Sequence, residues 1–270
     1  MEAERTIPVC YRHPDRETRL ACTHCDRPVC WDCVTPAPVG QRCPECARDT
    51  GPRIRAVRRD TAPVSMGVIG VAAAVFVLGL LAPAVGRELF LWFGQHNASV
   101  LAGDSYRVVT AGFLHAGFTH ILFNMWALSA FGPPLEREAG STAFGGMYLA
   151  SLLCGGLAYL WLGEPGGFAV GASGAIFGLF GAWTAIAVAN RHTVMGQAQL
   201  RQMLMLLGIN AALPILVPQI AWQAHLGGFL AGFLLGMVWS AVRGQERATV
   251  LRAASGYGLA ALAWLALLLT

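Results

Sequence analysis

Two short motifs place a serine and a histidine at the heads of separate hydrophobic segments. Ser173 lies in the sequence Gly-Ala-Ser-Gly that begins at Gly171, and His225 lies in the sequence Ala-His-Leu-Gly-Gly. Polar side chains inside a membrane segment are energetically costly and usually mark a functional site. A serine hydroxyl is a weak nucleophile until an adjacent base removes its proton. The pair therefore predicts nucleophilic catalysis by Ser173 with His225 as its base.

A third hydrophobic segment opens with His115, His120 and Asn124. A metal site made of His115, His120 and His225 is the competing chemistry, but zinc-dependent hydrolysis needs a carboxylate base beside the histidines, as in H-E-x-x-H. The parts of the three segments near these residues carry no Asp or Glu. This favours a serine mechanism without a catalytic metal, using a Ser–His dyad. The carboxylates on that side all lie in predicted loops: Glu88, Asp104 and Glu164.

The first 50 residues carry cysteines and a histidine in pairs that are typical of zinc ligands. Four consecutive pairs provide enough ligands for two tetrahedral zinc ions. Disulfides are the alternative, but the predicted topology puts this segment on the reducing inner side of a membrane. His24 lies between two of the cysteines and could replace one ligand, whereas Cys154 is predicted to be an inert thiol within a helix. The pairs are Cys10–His13, Cys22–Cys25, Cys30–Cys33 and Cys43–Cys46.

The composition of the 270 residues is that of a membrane protein, since 55% are hydrophobic and 13% are charged, against roughly 25% charged in soluble domains. Residues 1–60 are the exception, because they hold 11 of the 19 arginines and 7 of the 8 cysteines. Two domains are therefore predicted. No apolar run opens the chain, so no cleavable signal peptide is expected. The net charge of +4 does not indicate nucleic acid as a partner, and the absence of lysine suggests a GC-rich, bacterial genome.

Seven stretches approach the roughly 20 apolar residues that a spanning helix needs. The stretch from Pro83 to Gly112 is too polar to span and is predicted to be a long interfacial loop. With the N-terminus inside, ten arginines fall on the inner side and only Arg87 and Arg107 on the outer side. This distribution predicts a cytoplasmic N-terminus and an outer C-terminus. The seven stretches are 64–82, 113–132, 143–162, 172–190, 202–218, 222–242 and 254–270.

In this topology the second, fourth and sixth segments all run from outside to inside. Their first turns carry the histidines, Asn124 and Ser173, which therefore lie at one level of the membrane. Glycines about four residues apart follow Ser173 and His225, so segments four and six are predicted to approach closely. This convergence favours a catalytic site over isolated packing residues. It also argues against a transporter, because the inner halves of these segments are apolar.

Together these residues resemble the motifs of the rhomboid intramembrane serine proteases, over about residues 64–242. The resemblance implies an all-α membrane domain with a six-helix core, to which segment 254–270 adds one C-terminal helix. One departure is that the Trp-Arg pair usual in the family's first loop is Tyr106-Arg107 here. The matching motifs are His115-x4-His120-x3-Asn124, Gly171-x-Ser173-Gly174-x3-Gly178 and Ala224-His225-x2-Gly228-x3-Gly232.

The resemblance also implies a role for each residue of the site. Ser173 is the nucleophile and His225 the general base. The side chains of His120 and Asn124 form the oxyanion hole with the Ser173 backbone N–H, and His115 matches a position that braces the first loop. The predicted structural residues near the site are His115, Gly171, Gly174 and Arg107.

The proposed chemistry and the resemblance also lead to expectations for other parts of the core. Hydrolysis below the membrane surface needs water, which predicts a polar cavity open to the outside. The stretch Gly163 to Gly171 and the first loop would form its rim. Segment five, with Asn210 and Pro214, would be a lateral gate for substrates. The end of the second core helix is matched by Gly132, Glu136 and Gly140.

The N-terminal domain resembles a B-box-type zinc finger, in which alternate pairs share a metal. That resemblance assigns one zinc ion to Cys10, His13, Cys30 and Cys33, and the other to Cys22, Cys25, Cys43 and Cys46. The domain shows no catalytic residues, so recruitment of a protein partner or substrate is expected. The predicted divisions are 1–50 for this domain, 51–63 for an Arg-rich linker against anionic lipid, 64–242 for the protease core and 243–270 for a loop and the seventh helix.

The expected function is that of a serine endopeptidase in the cell membrane, which cleaves transmembrane segments of other proteins near their outer end. The alternative is an inactive relative that binds membrane proteins without cutting them. The presence of both the dyad and the oxyanion residues favours the protease. The expected partners are transmembrane protein substrates, the lipid bilayer and a protein that binds the zinc domain.

Overall fold

A computed structural model describes residues 7–37, 40–49 and 61–270. The chain divides into two compact units, Met1–Asp60 and Thr61–Thr270. Residues 51–60, which make up most of the predicted Arg-rich linker, lie outside the described residues. The linker's predicted contact with lipid headgroups therefore stays a prediction.

The first unit is built from short strands around a small core of sulfur atoms. Two antiparallel pairs form, β1 with β2 and β3 with β4. Besides Val29, the buried hydrophobic residues among residues 7–37 and 40–48 are all cysteines, so little apolar surface there is available to hold the fold together. The elements are β1 (Val9–Cys10), β2 (His13–Glu17), β3 (Thr35–Pro36), β4 (Gln41–Arg42) and α1 (Pro44–Asp49).

The second unit is a bundle of long helices with shorter elements between the first two of them. The first part comprises α2 (Pro63–Leu81), α3 (Pro83–Phe93), β5 (Gln95–His96), α4 (Asn97–Leu101), α5 (Arg107–Thr110) and a 3-10 turn at Ala111–Phe113. The rest comprises α6 (Phe118–Ala139), α7 (Ser141–Leu162), β6 (Phe168–Ala169), α8 (Ser173–Ala189), α9 (Val194–Leu216), α10 (Trp222–Ala241) and α11 (Ala248–Leu268).

Five of these helices are long and apolar enough to cross a membrane, namely α2, α7, α9, α10 and α11. A sixth span results if the segment 107–113 and α6, which meet at 94°, are counted as one. Helix α8 is apolar but has only 17 residues. Each of the seven predicted segments overlaps one long helix. The predicted fold class, an all-α multi-pass membrane protein preceded by a small Cys/His-rich domain, is confirmed.

The predicted loop between the first two segments is wrong in its local structure. Residues 83–112, predicted as a long interfacial loop, contain the helices α3, α4 and α5. Pro83 stands at the first position of α3, where its missing N–H costs no helical hydrogen bond. The polar residues that prevent this stretch from spanning a membrane do not prevent short helices, because a helix needs only local hydrogen bonds.

The most extensive helix contact joins α8 and α10, the two helices that begin near Ser173 and His225. A Cβ atom on Gly228 would overlap the carbonyl oxygen of Gly174, and one on Gly232 would overlap that of Gly178. Small residues allow two backbones to approach this closely. The predicted contact between the fourth and sixth segments is therefore present, and it fixes the first turns of both helices side by side.

A buried carboxylate joins the start of α2 to the end of α6. Glu136 is 1% exposed and accepts hydrogen bonds from the Val64 N–H at 2.9 Å, the Ser65 N–H at 2.8 Å and the Ser65 hydroxyl at 2.7 Å. The first N–H groups of a helix have no partner within the helix. The carboxylate of Glu136 satisfies two of them and lies at the helix end where the macrodipole favours negative charge.

Replacing Glu136 with glutamine is expected to lower stability by about 2–4 kcal/mol, because the amide NH2 faces N–H donors and leaves buried groups unpaired. The measurement is the unfolding midpoint of the purified protein in a mild detergent. Glu138→Gln is the control, since Glu138 is exposed and its carboxylate makes no such bonds within residues 61–270. Equal midpoints for the two variants would contradict a stabilising role for Glu136.

Candidate active site and metal-ligand clusters

Ser173 and His225 are in hydrogen-bond contact in the folded chain. The Ser173 hydroxyl and the His225 Nε2 are 2.8 Å apart. Ser173 is the first residue of α8, and His225 lies in the first turn of α10. Both side chains are half-buried. A nucleophile and a base within this distance meet the geometric requirement for general-base activation of the hydroxyl.

The orientation of the His225 ring is set by an aromatic contact that the sequence analysis missed. The rings of His225 and Phe177 are stacked, with centroids 4.0 Å apart and planes inclined by 8°. Phe177 lies one helical turn after Ser173, so α8 carries both the nucleophile and the support for its base. Within residues 61–270, no carboxylate is hydrogen-bonded to His225. The spacing of four places Phe177 on the same helical face as Ser173, but this does not distinguish it from phenylalanines that only pack in a membrane helix.

The turn before Ser173 passes close to His120. Gly171 has φ of +124°, and a Cβ atom there would lie 2.7 Å from the His120 Nε2. Its N–H donates to the carbonyl of Ala111 at 2.9 Å. A side chain at this position would be both strained and in collision with the imidazole. The glycine therefore lets the backbone that leads to Ser173 run beside His120.

The hydrogen bond made by Nδ1 of His120 indicates the tautomer of the ring. Nδ1 accepts a hydrogen bond from the Ala116 N–H at 3.4 Å. In a neutral imidazole the second nitrogen then carries the proton. Nε2, which lies on the Gly171 side, is consequently a donor. A group that stabilises an oxyanion near Ser173 must be a hydrogen-bond donor, as Nε2 is here.

Asn124 lies one turn after His120 on the same face of α6. Its Nδ2 donates to the His120 carbonyl at 2.9 Å, and the side-chain amide has a second hydrogen on that nitrogen. Asn124 is 7% exposed, and within residues 61–270 its Oδ1 has no hydrogen-bond donor. The contact with the His120 backbone fixes the direction of the amide.

His115 is buried against the same cluster. It is 3% exposed, and its ring meets that of His120 edge to face with centroids 5.0 Å apart. Neither ring nitrogen has a hydrogen-bond partner among residues 61–270. The observed contact of the His115 ring is packing against His120, and its bracing of the first loop stays a prediction.

Arg107 anchors the first loop. Arg107 is 4% exposed and donates to the carbonyls of Leu91 at 2.6 Å and Gly94 at 3.3 Å, and to the Asp104 carboxylate at 2.9 Å. The Tyr106 hydroxyl donates to the Trp92 carbonyl at 3.0 Å. These bonds hold the end of α3 against α5.

Two buried polar residues of the first loop join it to the end of α7 and to the stretch that precedes Ser173. Gln95 donates to the Gly156 carbonyl at 2.8 Å, and Asn97 donates to the Glu164 carbonyl at 2.9 Å. In addition, β5 pairs with β6 in an antiparallel ladder. The rim stretch Gly163 to Gly171 is thereby tied to the first loop. No signal in the local sequence identified this pairing, because the partners are about 70 residues apart.

Helix α9 makes the least extensive packing contact of the spanning helices. Its most apolar stretch of 18 residues is only 6% buried, and the buried residues of the helix are Gly196 and Met203. Asn210 donates to the Leu206 carbonyl at 2.8 Å, and Pro214 lies within the helix.

In the N-terminal unit the metal-ligand residues form two groups, each with all ligand atoms within 4.8 Å of one another. In the first, the Nδ1 of His13 lies 3.4 Å from the Sγ of both Cys30 and Cys33. In the second, the Sγ atoms of Cys25 and Cys43 are 3.8 Å apart. His24 is exposed and belongs to neither group. The groups are Cys10, His13, Cys30 and Cys33, and Cys22, Cys25, Cys43 and Cys46.

These distances and donors fit zinc. With Zn–S bonds of about 2.3 Å in a tetrahedron, two sulfur ligands lie about 3.8 Å apart. A disulfide would need about 2.05 Å, so the 3.8 Å between Cys25 and Cys43 is the spacing of two ligands of one ion. Three thiols with one imidazole, and four thiols, are both common donor sets for structural zinc.

In each cluster some ligand thiols have a lowered pKa, which favours the thiolate that binds metal, whereas burial and neighbouring thiols raise the pKa of Cys33 and contact with Cys43 and Cys25 raises that of Cys46. Burial alone would raise the pKa of the Cys10 thiol, but donation from the backbone N–H groups of Arg12 and Cys30 and contact with His13 outweigh it and lower the pKa to about 6. Burial likewise opposes the shift at Cys22, where backbone donors lower the pKa to about 6. Such donors stabilise negative charge on sulfur.

Comparisons with a family model and with known proteins all find similarity to rhomboid proteins. A family model described as "Rhomboid domain" matches residues 102–242. The chain is 35% identical over 175 residues to "Putative rhomboid protease YdcA" of Bacillus subtilis, covering 63% of this chain and 86% of that protein. It is 32% identical over 160 residues to "Rhomboid protease GluP" of the same organism, covering 58% of this chain and 31% of GluP.

A plant relative is also similar. The chain is 41% identical over 137 residues to "RHOMBOID-like protein 1" of Arabidopsis thaliana, covering 50% of this chain and 35% of the plant protein. The chain thus spans most of YdcA but only about a third of the length of the other two. The family model does not cover the N-terminal metal-ligand clusters, since its match begins at residue 102.

Proposed function

The chain belongs to the rhomboid family, and from that premise we propose that it is an intramembrane serine endopeptidase that cuts transmembrane segments of other membrane proteins near their outer end. The observation that carries the proposal is the 2.8 Å contact between the Ser173 hydroxyl and the His225 Nε2. The bacterial relatives named as rhomboid proteases support protease chemistry of this kind. The multi-pass helical fold supports action on substrates within the membrane.

In the proposed reaction, His225 Nε2 takes the proton of the Ser173 hydroxyl as Oγ attacks the carbonyl carbon of the substrate peptide bond. The carbonyl oxygen becomes an oxyanion. As the tetrahedral intermediate collapses, His225 returns its proton to the leaving amine and the peptide C–N bond breaks. Water then attacks the acyl-enzyme with His225 again as base, which releases the carboxylate product and restores the serine.

Three donors would stabilise the oxyanion: the protonated Nε2 of His120, the amide of Asn124 and the backbone N–H of Ser173. The hydrogen bonds that fix the His120 tautomer and the Asn124 amide support this assignment. Donors that are fixed before the reaction need no reorganisation when the charge develops. The stacked Phe177 would keep His225 aligned in place of the carboxylate that a triad would use.

Replacing Asn124 with alanine is expected to lower kcat about 10²–10³-fold with little change in KM, because the donor acts on charge that exists only in the transition state. Asn190→Ala is the matched control. Asn190 makes the same kind of bond to the carbonyl four residues earlier, at 2.8 Å, but stands at the far end of α8. A kcat for Asn124→Ala equal to that of Asn190→Ala would contradict the oxyanion role.

The direct test of the proposed function is cleavage in proteoliposomes. The purified full-length protein is reconstituted with a tagged single-span substrate library, and the products are mapped by mass spectrometry. Cuts within a few residues of one membrane boundary, absent without the enzyme, support the proposal. Stable capture of substrates by a folded protein without any cut would instead favour the inactive binder.

We also propose that the N-terminus is cytoplasmic, the C-terminus outside and the membrane a bacterial plasma membrane. The ten-to-two distribution of arginines supports the orientation, and the absence of lysine, which suggests a GC-rich genome, supports a bacterial membrane. Protection of a tag placed after Thr270 from external protease in intact cells would contradict this orientation. On the inner side, the two ligand groups would hold two structural zinc ions in a B-box-type arrangement, and this unit would recruit a protein partner or substrate.

A further inference from the structure

A small notch lies between the ends of α6, α8, α10 and α11, far from Ser173 along α8. It has a volume of about 20 Å³ and is open on one side. That volume holds about one water molecule or one oxygen atom of a larger group. We call it the basic notch, and the residues that define its chemistry are Glu138, Trp239, Ser240, Arg243 and Arg252.

Two buried N–H donors in the basic notch have no acceptor among residues 61–270. They are the indole Nε1 of Trp239, which is 3% exposed, and the Nε of Arg252. The other nitrogens of Arg252 make only long contacts, at 3.5 Å to the Glu138 carbonyl and 3.4 Å to the Trp239 carbonyl. Buried N–H groups in folded proteins are nearly always paired. Two such donors beside one opening indicate a site for an acceptor oxygen.

The charge around the opening favours an anionic acceptor. The guanidinium of Arg252 lies over the Trp239 ring at 6.0 Å from its centroid, and the exposed Arg243 lines the same opening. Hydrogen bonds from a guanidinium to an oxyanion are stronger than those to neutral oxygen. The carboxylate of Glu138 is the opposing charge, so the local balance is two arginines against one acid.

The position of the basic notch favours a lipid headgroup as the anionic ligand. It lies at the C-terminal ends of α6 and α10, close to where α11 begins, and both α10 and α11 have the length and apolarity of membrane spans. Groups at the ends of such helices meet lipid headgroups, and basic pockets between spanning helices are known to bind acidic headgroups.

We propose that the basic notch binds the phosphate of an anionic phospholipid. One phosphate oxygen enters the notch and accepts hydrogen bonds from Trp239 Nε1 and Arg252 Nε, while Arg243 pairs with a second oxygen. The lipid thereby joins α10 to α11 at the end of the bundle opposite the proposed catalytic pair. This site is independent of the proposed peptidase activity, because none of its residues contacts Ser173 or His225.

The test is native mass spectrometry of the full-length protein, delipidated in a mild detergent and titrated with phosphatidylglycerol or phosphatidylcholine of identical acyl chains. We expect the first phosphatidylglycerol to bind roughly tenfold more tightly than phosphatidylcholine. Arg252→Gln and Arg243→Gln should remove this preference, and Trp239→Phe should weaken it several-fold because the indole N–H donor is lost. Glu138→Gln should strengthen it.

The matched control is Arg247→Gln, which removes an exposed arginine near the same helix ends that does not line the notch. Equal affinity for the two lipids, or the same loss in Arg247→Gln as in Arg243→Gln, would overturn the proposal. Displacement of the bound lipid by inorganic phosphate at equal concentration would overturn the assignment to a lipid. Arg243 is exposed, so its replacement tests the site even if a change at Trp239 disturbs the fold.

Discussion

Ser173→Ala is expected to abolish labelling by a fluorescent fluorophosphonate and to lower peptidase activity at least about 10⁴-fold. The reagent forms a covalent bond with a serine oxygen only when a neighbouring base activates it. The 2.8 Å contact with His225 provides that activation at Ser173. His225→Ala should lose labelling to the same extent, because the hydroxyl then has no base.

The double variant Ser173→Ala/His225→Ala should be no worse than either single variant, since residues that act as one unit show strongly non-additive effects. Ser151→Ala is the control for the loss of a buried hydroxyl, because Ser151 is fully buried in α7 and contacts Gly178 rather than His225. It should label like the wild type. Labelling that persists in Ser173→Ala would place the reactive serine elsewhere, and a folded wild type that does not label would favour the inactive binder.

Removal of zinc is expected to unfold the N-terminal unit. The buried hydrophobic residues described in that unit are Val29 and cysteine ligands, so the fold has almost no core without the metal. Small domains of this kind fold because they bind zinc. The purified protein should contain two zinc ions per chain, and treatment with a strong chelator should remove both and expose residues 7–49 to limited proteolysis.

Substitution of single ligands separates the two clusters. Cys10→Ser and Cys22→Ser should each reduce the zinc content to one ion or fewer per chain, as measured by elemental analysis. Cys154→Ser should leave it at two, because Cys154 lies in α7 and belongs to neither group. Full zinc content in both ligand variants, or a wild type without zinc, would contradict the assignment.

Some features of the fold and site could be predicted from the sequence because they depend on spacing along one segment. Glycines at every fourth residue after Ser173 and His225 predicted the contact of α8 with α10. The Cys-x2-Cys pairs predicted metal-ligand groups for the same reason.

Other features depend on contacts between distant parts of the chain, and these were missed. The helices within residues 83–112 escaped prediction because the criterion was the ability to span a membrane, which polar residues prevent. The β5–β6 pairing and the stacking of Phe177 on His225 each join segments about 50 to 70 residues apart. No local pattern distinguishes Phe177 from the other phenylalanines of the apolar helices.

The length of α8 has a consequence for the substrate. Its 17 residues rise about 26 Å, whereas the hydrocarbon layer of a bilayer is about 30 Å thick. If the last residues of α8 reach one face, Ser173 lies several ångströms inside the other. A substrate carbonyl at that depth is hydrogen-bonded within its own helix, as backbone groups in lipid must be. It can meet the serine only after about a turn of that helix has unwound, so the stability of the substrate helix, as much as its side chains, would set the rate of cleavage.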